Sequence, residues 1–386
     1  MLLYLRDVAV LAITCVGGPQ AHIATFQKLL VERRGYISAE ELLELHALCQ
    51  LLPGPTSTQT LSAISFRIGG PNLAYLALLI WVLPSVIIMS LVGLFITDLQ
   101  ARHISLGFTR FIEPMAVGLV AQSFYMFARR TIFGNLDAFL MAITAILTYF
   151  FPTPYLSPVL LLAGGVVTSI RFRRRHPLHD KEPMRIEWAN FMLWIGVFLV
   201  AALLGNLTHA LPIRLFENFY RNGSLIFGGG QVLIPLMYTE FVQYKHYLTS
   251  EEFLFGYALT QALPGPVFAF CSYIGMLAGR PLGLQGQLLG ALAATLGIFL
   301  PGTFLIFFII RFWAQLKRYR VVKASLEGVN AVSSGLILAA ALLLFKPMQA
   351  TDVNLLTVTG TFVVLQFTRM PSWAVIAIGL IMGIVI

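Results

Sequence analysis

Two short motifs rich in proline and glycine carry residue types that suit anion binding. The first is Pro53-Gly54-Pro55, and a polar run follows it: Thr56, Ser57, Thr58 and Gln59. Two prolines around a glycine remove backbone donors and block continuation, so a helix that reaches this motif must end there. A second helix that begins after the motif points free N–H groups and hydroxyls into the break. Such a helix N-terminus is a ready anion site.

The second motif is Gly17-Gly18-Pro19-Gln20, with His22 two residues later. The two glycines permit a break, and proline suits the first position of a new helix. Gln20 and His22 then lie in the first turn of that helix. Because histidine titrates near neutral pH, His22 is either a proton or anion partner or a packed, hydrogen-bonded side chain.

Both motifs occur twice in the chain. The copies, 211 residues further on, are Pro264-Gly265-Pro266 and Gly228-Gly229-Gly230-Gln231. Between 36–55 and 247–266, eleven of the twenty aligned positions are identical. A repeat of this quality indicates duplication. A break that occurs in both copies favours a binding site over helix kinks that serve packing alone.

The two copies differ directly after Pro-Gly-Pro. The first continues with hydroxyl and amide side chains, whereas the second continues with Val267, Phe268 and Ala269. We therefore expect the first copy to supply most polar contacts to an anion, and the second to supply helix ends and an apolar wall. Gln50 and Gln261 lie three residues before each Pro-Gly-Pro. Each of these amides either donates to an anion or joins two helices.

The elements that carry these motifs are membrane helices. Of the 386 residues, 58% are apolar and 11% are charged, whereas soluble proteins carry about 25% charged residues. Apolar runs of roughly twenty residues match a hydrocarbon core about 30 Å thick. Because backbone groups find no water there, such runs form helices, and a membrane barrel would show alternating segments of about ten residues. The sequence predicts an all-α polytopic protein whose surroundings are the lipid bilayer.

Thirteen apolar runs are separated by polar breaks. They lie near 8–31, 40–68, 73–98, 108–128, 136–151, 156–171, 189–211, 218–243, 251–278, 284–311, 325–345, 352–367 and 372–386. The first six and the last six belong to the two copies, and a shift of 217 aligns Leu83-Pro84 with Leu300-Pro301 and Gly118 with Gly335. We therefore predict a first repeat at 1–171, a basic cytoplasmic linker at 172–188, a connecting helix at 189–211 and a second repeat at 212–386.

The number of crossings predicts opposite orientations for the two repeats. Six crossings return the chain to its starting side, and the connecting helix adds one more, as in inverted-repeat transporters. Of the 26 Lys and Arg, six lie in 171–187 and five in 311–323. These clusters place the N-terminus in the cytoplasm and indicate topology rather than nucleic-acid binding. Alternatively, the first two runs of each repeat re-enter the membrane instead of spanning it.

Ionisable residues within the apolar runs are few. Arg67 lies near the end of its run, where it either extends to the membrane interface or attracts an anion. Glu113, Glu240 and Glu327 are candidates for proton coupling, because burial favours the neutral carboxyl. Glu240 is the first choice, nine residues after Gln231. The alternative for each carboxylate is an ion pair or a helix end.

Motifs for enzyme chemistry are absent from the sequence. It contains no phosphate-binding GxxxxGK[ST], no HExxH and no GxSxG. Cys15, Cys49 and Cys271 show no metal-ligand spacing. We expect no catalytic residue, no cofactor and no metal site.

The motifs resemble those of the chromate ion transporter family in its two-domain form. Residues 17–22, Arg33-Arg34 with Tyr36, and residues 48–59 resemble the family's first domain, and residues 227–231 and 261–266 its second. The resemblance implies an inner-membrane protein with antiparallel halves that exports chromate, driven by the membrane potential or the proton gradient. It implies sulfate as a competing oxyanion.

Two other functions fit the sequence. One is a symporter that takes up sulfate or another anion, and the other is a membrane protein that binds a lipid phosphate without anion flux. A homodimer is a further expectation. Flux of chromate and sulfate through the purified protein separates these functions.

Overall fold

The computed structural model describes residues 1–102, 107–175, 187–313, 320–348 and 351–385. Within helices, the side chains of Gln20, Phe108, 173–175, 320–323 and Val385 are not described. Most of the predicted basic linker at 172–188 therefore lies outside the described residues. The same is true of the Gln20 side chain.

The described residues form sixteen α-helices and no β-strand, which confirms the prediction of an all-α chain. The helices are α1 Leu2–Thr14, α2 Gly18–Phe26, α3 Ala39–Gln50, α4 Thr56–Ala101, α5 Ile112–Thr131, α6 Asn135–Phe150, α7 Leu156–Arg175, α8 Ala189–Thr208, α9 Leu211–Gly223, α10 Gly230–Met237, α11 Ser250–Ala262, α12 Phe270–Ala278, α13 Gly283–Ile309, α14 Arg320–Phe345, α15 Asp352–Phe367 and α16 Ser372–Val385. Two π-helices, Gln27–Arg33 and Tyr238–Tyr244, continue α2 and α10 with the 211-residue spacing of the repeat.

Four of the described helices are long and apolar enough to cross a membrane. They are α4, α8, α13 with the 3₁₀ turn before it, and α14. α4 bends at Gly69 and Gly70, whose backbone angles are not helical. Pro71 follows and cannot donate to the preceding turn. The runs 40–68 and 73–98 therefore meet in one bent helix instead of being joined by a loop.

The chain leaves helical geometry at each proline–glycine motif. α3 ends at Gln50 and α4 begins at Thr56, while α11 ends at Ala262 and a 3₁₀ turn begins at Val267. Between them Gly54 has φ +117° and Gly265 has φ +97°, a region that only glycine enters at little cost. The other two motifs separate α1 from α2 and α9 from α10.

The sequence predicts capping boxes at the starts of α3, with Ser38 and Glu41, and of α11, with Thr249 and Glu252, and the two are formed to different extents. At α11, Thr249 accepts the N–H of Glu252, and the Glu252 carboxylate accepts the N–H of Thr249. At α3, Ser38 accepts the N–H of Glu41, but the Glu41 carboxylate is paired with Arg67. The reciprocal half of the first predicted box is therefore wrong, because an arginine 26 residues away takes the carboxylate.

The two copies contact each other through matched positions. A β-carbon on Gly118 of α5 would meet Thr361 of α15 at 2.8 Å, and one on Gly335 of α14 would meet Thr144 of α6 at 2.7 Å. A 217-residue shift relates Gly118 to Gly335 and Thr144 to Thr361. The same close helix contact is thus made twice, each time by a glycine of one copy on a threonine of the other.

Matched helices of the two copies touch at positions that do not correspond in the repeat. Gln287, near the start of α13, donates to Thr97, near the end of α4, at 3.0 Å. The hydroxyls of Thr131, at the end of α5, and Ser334, inside α14, lie 2.8 Å apart. The 217-residue shift matches Ser334 with position 117 of α5. Positions 117 and 131 lie about 21 Å apart along a helix that rises about 1.5 Å per residue. The two hydroxyls therefore come from different levels of the matched helices.

The start of α4 and the whole of α12 lie at the centre of the protein. Residues 52–65 and 265–279 are buried without interruption. A helix buried on every side belongs to the core of a large protein. The helices that follow the two Pro-Gly-Pro motifs are therefore interior elements.

Candidate functional site

The backbone joins each Pro-Gly-Pro loop to the other copy. The N–H of Gly54 donates to the carbonyl of Ile226 at 2.8 Å, and the N–H of Gly265 donates to the carbonyl of Cys15 at 2.8 Å. Cys15 and Ile226 stand at matched positions, just before the glycine motifs that start α2 and α10. The four breaks thus meet in two crossed pairs.

Each loop also rests on the long helix of the opposite copy. A β-carbon on Gly54 would lie 3.3 Å from Cα of Gly302 in α13, and one on Gly265 would lie 2.9 Å from Oγ of Ser85 in α4. Ser85 and Gly302 follow the matched Leu-Pro pairs of the sequence. Gln59 reinforces the first contact, because its amide donates to the carbonyls of Pro53 at 2.7 Å and Gly302 at 3.2 Å.

A small cavity lies between the crossed loops. Its lining residues are Pro19, His22, Pro55, Thr56, Ser57, Gly230, Pro266, Val267 and Phe268. The starts of α2, α4, α10 and the 3₁₀ turn before α12 all contribute. Because the first N–H groups of a helix have no partner within it, these starts present donors and the positive ends of dipoles. The cavity holds about 10 Å³, room for about one water molecule.

His22 lines this cavity and carries a ring nitrogen without a hydrogen bond to another described residue. The side chain is 1% exposed, and its Nδ1 lies 3.0 Å from Oγ of Ser57. The other ring nitrogen, Nε2, is buried and has no hydrogen-bond partner among the described residues. Buried polar atoms are nearly always paired, so Nε2 is open to an ordered water or a ligand, and the backbone of Cys15 also lies close to this side chain.

Trp81 is a site residue that sequence reasoning missed. It is fully buried in α4, and its indole N–H donates to Oγ1 of Thr58 at 3.1 Å. Its ring meets the rings of His22 and Phe26 edge-on, at centroid distances of 5.2 and 5.6 Å. A tryptophan in an apolar run carries no spacing signal, so only the fold assigns Trp81 to the site.

The remaining polar residues of the four motifs lie around the cavity rather than in it. Gln231 is half-buried in the first turn of α10, beside the positive-φ residues Gly228 and Gly229. Gln50 is exposed, and its amide nitrogen lies 3.0 Å from Nε2 of His46. The Gln261 carbonyl accepts from Ser372 at 3.2 Å. Gly17, Gly18 and Pro264 complete the breaks.

Arg67, Glu113 and Glu327 lie outside the cavity lining. Arg67 pairs with Glu41 at 3.0 Å, and its side chain is 60% exposed. Glu113 is half-buried in the first turn of α5, and Glu327 is exposed on α14. A role for Glu113 and Glu327 in proton coupling stays a prediction.

Glu240 lies in a buried ionic cluster. Its carboxylate has no exposed area, and it pairs with Arg221 at 3.0 Å and with Lys245 at 3.6 Å. Arg221 also pairs with Glu217 at 3.3 Å. This arrangement matches the ion-pair alternative for Glu240, and the coupling role stays a prediction.

Glu240→Gln is expected to lower the free energy of unfolding by about 3 kcal/mol or more, because two cations lose a buried carboxylate partner. The exposed Glu327→Gln serves as the control and is expected to change it by less than about 0.5 kcal/mol. Thermal unfolding in detergent measures both. A stable Glu240→Gln protein whose flux has lost its pH dependence would indicate proton coupling instead of a structural ion pair.

The sequence profile described as "Chromate transporter" matches residues 4–170 and 213–384, which together are most of the chain. The chain belongs to the chromate transporter family. Its relatives include a "Chromate transport protein" from Pseudomonas aeruginosa, 27% identical over 83% of this chain and 75% of the relative. A protein of the same name from Cupriavidus metallidurans is 26% identical over 96% of this chain and 89% of the relative.

A more distant relative in sequence identity is an uncharacterized transporter from Methanocaldococcus jannaschii, 22% identical over 97% of this chain and 92% of the relative. No solved structure matches the chain. Membership in the chromate transporter family and the four long apolar helices make this chain a multi-pass membrane protein. The resemblance of the motifs to the chromate transporter family is thus confirmed over nearly the whole length of the chain.

Proposed function

We propose that this chain is a secondary transporter that exports chromate, or a sulfate-like oxyanion, across the bacterial inner membrane by alternating access. The observation that carries the proposal is the central cavity, where helix starts from both copies meet the unpaired Nε2 of His22. Backbone N–H groups, hydroxyls and an imidazole suit a tetrahedral dianion. The relatives named as chromate transport proteins supply the substrate class.

The two repeats, at 1–171 and 212–386, have opposite orientations in this proposal, with the connecting helix 189–211 between them and the N-terminus in the cytoplasm. The contact of the end of α4 with the start of α13, and that of the end of α5 with the middle of α14, support the inversion. The crossed pairs of breaks support a site at the centre, as inverted-repeat transporters have. The linker 172–188 then lies on the cytoplasmic side.

Export of a dianion requires no proton coupling. Moving one negative charge out of an inside-negative cell releases about 2.3 kcal/mol per 100 mV, and a dianion releases twice as much. None of the described residues that line the cavity is a carboxylate. Glu240, Glu113 and Glu327 would therefore act at a distance from the anion if protons are coupled to its movement.

The described state is closed around the site. A cavity with room for about one water does not admit a tetrahedral oxyanion. Transport therefore requires the crossed loops to separate on one side of the membrane at a time. Such alternation moves one rigid unit against another around a fixed site.

Two ion pairs, one in each copy, differ in their exposure. This difference indicates which end of the protein is closed to the solution. Glu252 is 3% exposed, pairs with Arg280 at 2.6 Å and accepts from Gln100 of the first copy at 2.8 Å. The matched carboxylate of the first copy, Glu41, pairs with Arg67, which has no arginine counterpart in the second copy, and this pair is 31% and 60% exposed. We assign the sealed end to Glu252, and the opposite state would bury the Glu41 pair instead.

Replacing Thr56, Ser57 and Thr58 together by alanine is expected to raise the KM for chromate flux about tenfold or more, because hydrogen bonds from the cavity-lining hydroxyls of Thr56 and Ser57 to an anion are each worth about 1.5–3 kcal/mol. The matched control is Val267→Ala with Phe268→Ala in the second copy, whose side chains offer no donor. Flux into proteoliposomes under an imposed potential measures both. Equal KM changes in the two variants would contradict the assignment of the polar contacts to the first copy.

The same assay separates the alternative functions. Sulfate should compete with chromate, because both are tetrahedral dianions. Flux that stops when the proton gradient collapses would indicate anion uptake by symport. The absence of chromate and sulfate flux would leave a lipid-phosphate-binding protein, without transport.

A further inference from the structure

Trp81 joins the starts of two helices that face the central cavity. On one side its ring contacts His22 and Phe26, in α2. On the other side its N–H donates to Thr58, in the first turn of α4. With no exposed surface, the indole has little freedom to turn. It therefore fixes the separation of the two N-termini that carry the polar side chains of the site.

The His22–Ser57 pair presents a donor to the cavity in either neutral tautomer. If Ser57 donates to Nδ1, the proton of the ring is on Nε2 and points away from Ser57. If Nδ1 donates to Ser57, the serine hydroxyl is free to donate instead. The pair suits an anion only while ring and hydroxyl keep their 3.0 Å contact, and Trp81 packs edge-on against that ring.

The second copy lacks all four residues of this hydrogen-bonded group. Shifts of 211 and 217 residues place four apolar residues where the first copy has its histidine, serine, threonine and tryptophan. They are Leu233, Phe268, Ala269 and Ile298. All four are buried, so the second copy packs apolar side chains where the first makes hydrogen bonds. The four polar residues change together, as expected if they work as one unit.

We infer that Trp81 is a positioning residue for a single oxyanion site per chain, holding His22 and Thr58 so that the donors of α2 and α4 face the same anion. This inference rests on the proposed transport function. It adds a specific residue that does not line the cavity, and it limits the polar side chains of the site to the first copy.

Trp81→Phe keeps an aromatic ring but removes the N–H donor. It is expected to raise the KM for chromate about fivefold while the maximal flux stays within about twofold, since one neutral hydrogen bond is worth about 1 kcal/mol. Thr58→Val removes the acceptor and should raise KM by a similar factor. Because both changes break the same contact, the double variant should match the single variants rather than multiply their effects.

Ile298→Val, at the matched position of the second copy, is the control and should leave KM unchanged. Thermal unfolding of all four variants in detergent checks that each is folded. An unchanged KM in Trp81→Phe, or a double variant whose KM rises by the product of the two factors, would overturn the inference. Failure of the proposed function is distinguishable, because the unmodified protein would then carry no chromate at all.

Discussion

Gly54→Ala is expected to reduce chromate flux at least tenfold and to lower the free energy of unfolding by about 2–4 kcal/mol. Gly54 has φ +117°, and a β-carbon there would lie 3.0 Å from Nε2 of Gln59 and 3.3 Å from Cα of Gly302. The loop must shift to make room, which strains the hydrogen bond from Gly54 to Ile226. Since the loop sets the start of α4, the site moves with it. Proteoliposome flux and thermal unfolding measure the two effects.

Two other glycines make this prediction specific. Gly265 has φ +97°, and a β-carbon there would lie 2.9 Å from Oγ of Ser85. Gly265→Ala should therefore behave like Gly54→Ala. Gly196→Ala, on α8, adds a β-carbon with no atom within 4 Å and should be neutral or slightly stabilising. A Gly54→Ala protein with normal flux and stability would show that the crossed loops tolerate displacement and do not define the site.

Arg280→Ala is expected to lower the free energy of unfolding by about 3–5 kcal/mol, because it leaves the carboxylate of Glu252 buried without its cation. Arg280 binds both carboxylate oxygens, at 2.6 and 3.0 Å, and also donates to Gln100 at 2.7 Å. Removing Arg280 also breaks its hydrogen bond to Gln100, which joins the two copies at the proposed sealed end. Maximal flux should fall as well, since the sealed state becomes less populated.

The comparison variant in the first copy is Arg67→Ala, which removes the cation that pairs with Glu41, the match of Glu252. Its partner Glu41 is partly exposed, so the expected loss is below about 1 kcal/mol. Thermal unfolding and flux, measured on both proteins, test the difference. If both arginines contribute equally, the two ends of the molecule are equivalent in the described state, and the assignment of a sealed end fails.

The positions of the helix ends beside the proline–glycine motifs are the part of the site that the sequence predicts most directly. Proline and glycine act locally, so Pro53-Gly54-Pro55 alone is enough to place the end of α3 and the start of α4. The partners of the breaks were not predictable, because the contacts of Gly54 with Ile226 and of Gly265 with Cys15 join residues far apart in the chain. The matched Leu-Pro pairs were visible in the sequence, yet nothing local links Ser85 or Gly302 to the opposite loop.

Side-chain partners were the least predictable part of the site. Gln59 follows the motif and looks like a donor to an anion, but its amide nitrogen donates to two backbone carbonyls. Trp81 gave no signal, because its role depends on the packing of α2 against α4. Glu240 was singled out as an isolated carboxylate, although Arg221, 19 residues earlier, reaches it across a helix pair.

The most direct test of the central claim is the position of a bound chromate ion. Crystals of the protein soaked in chromate, measured at the chromium absorption edge, locate the metal by its anomalous scattering. The account predicts one chromium peak per chain, in the cavity between Nε2 of His22 and the first turn of α4, with the crossed loops moved apart to admit it. A peak elsewhere, such as beside the arginine of the Glu240 cluster, with an empty central cavity would contradict it.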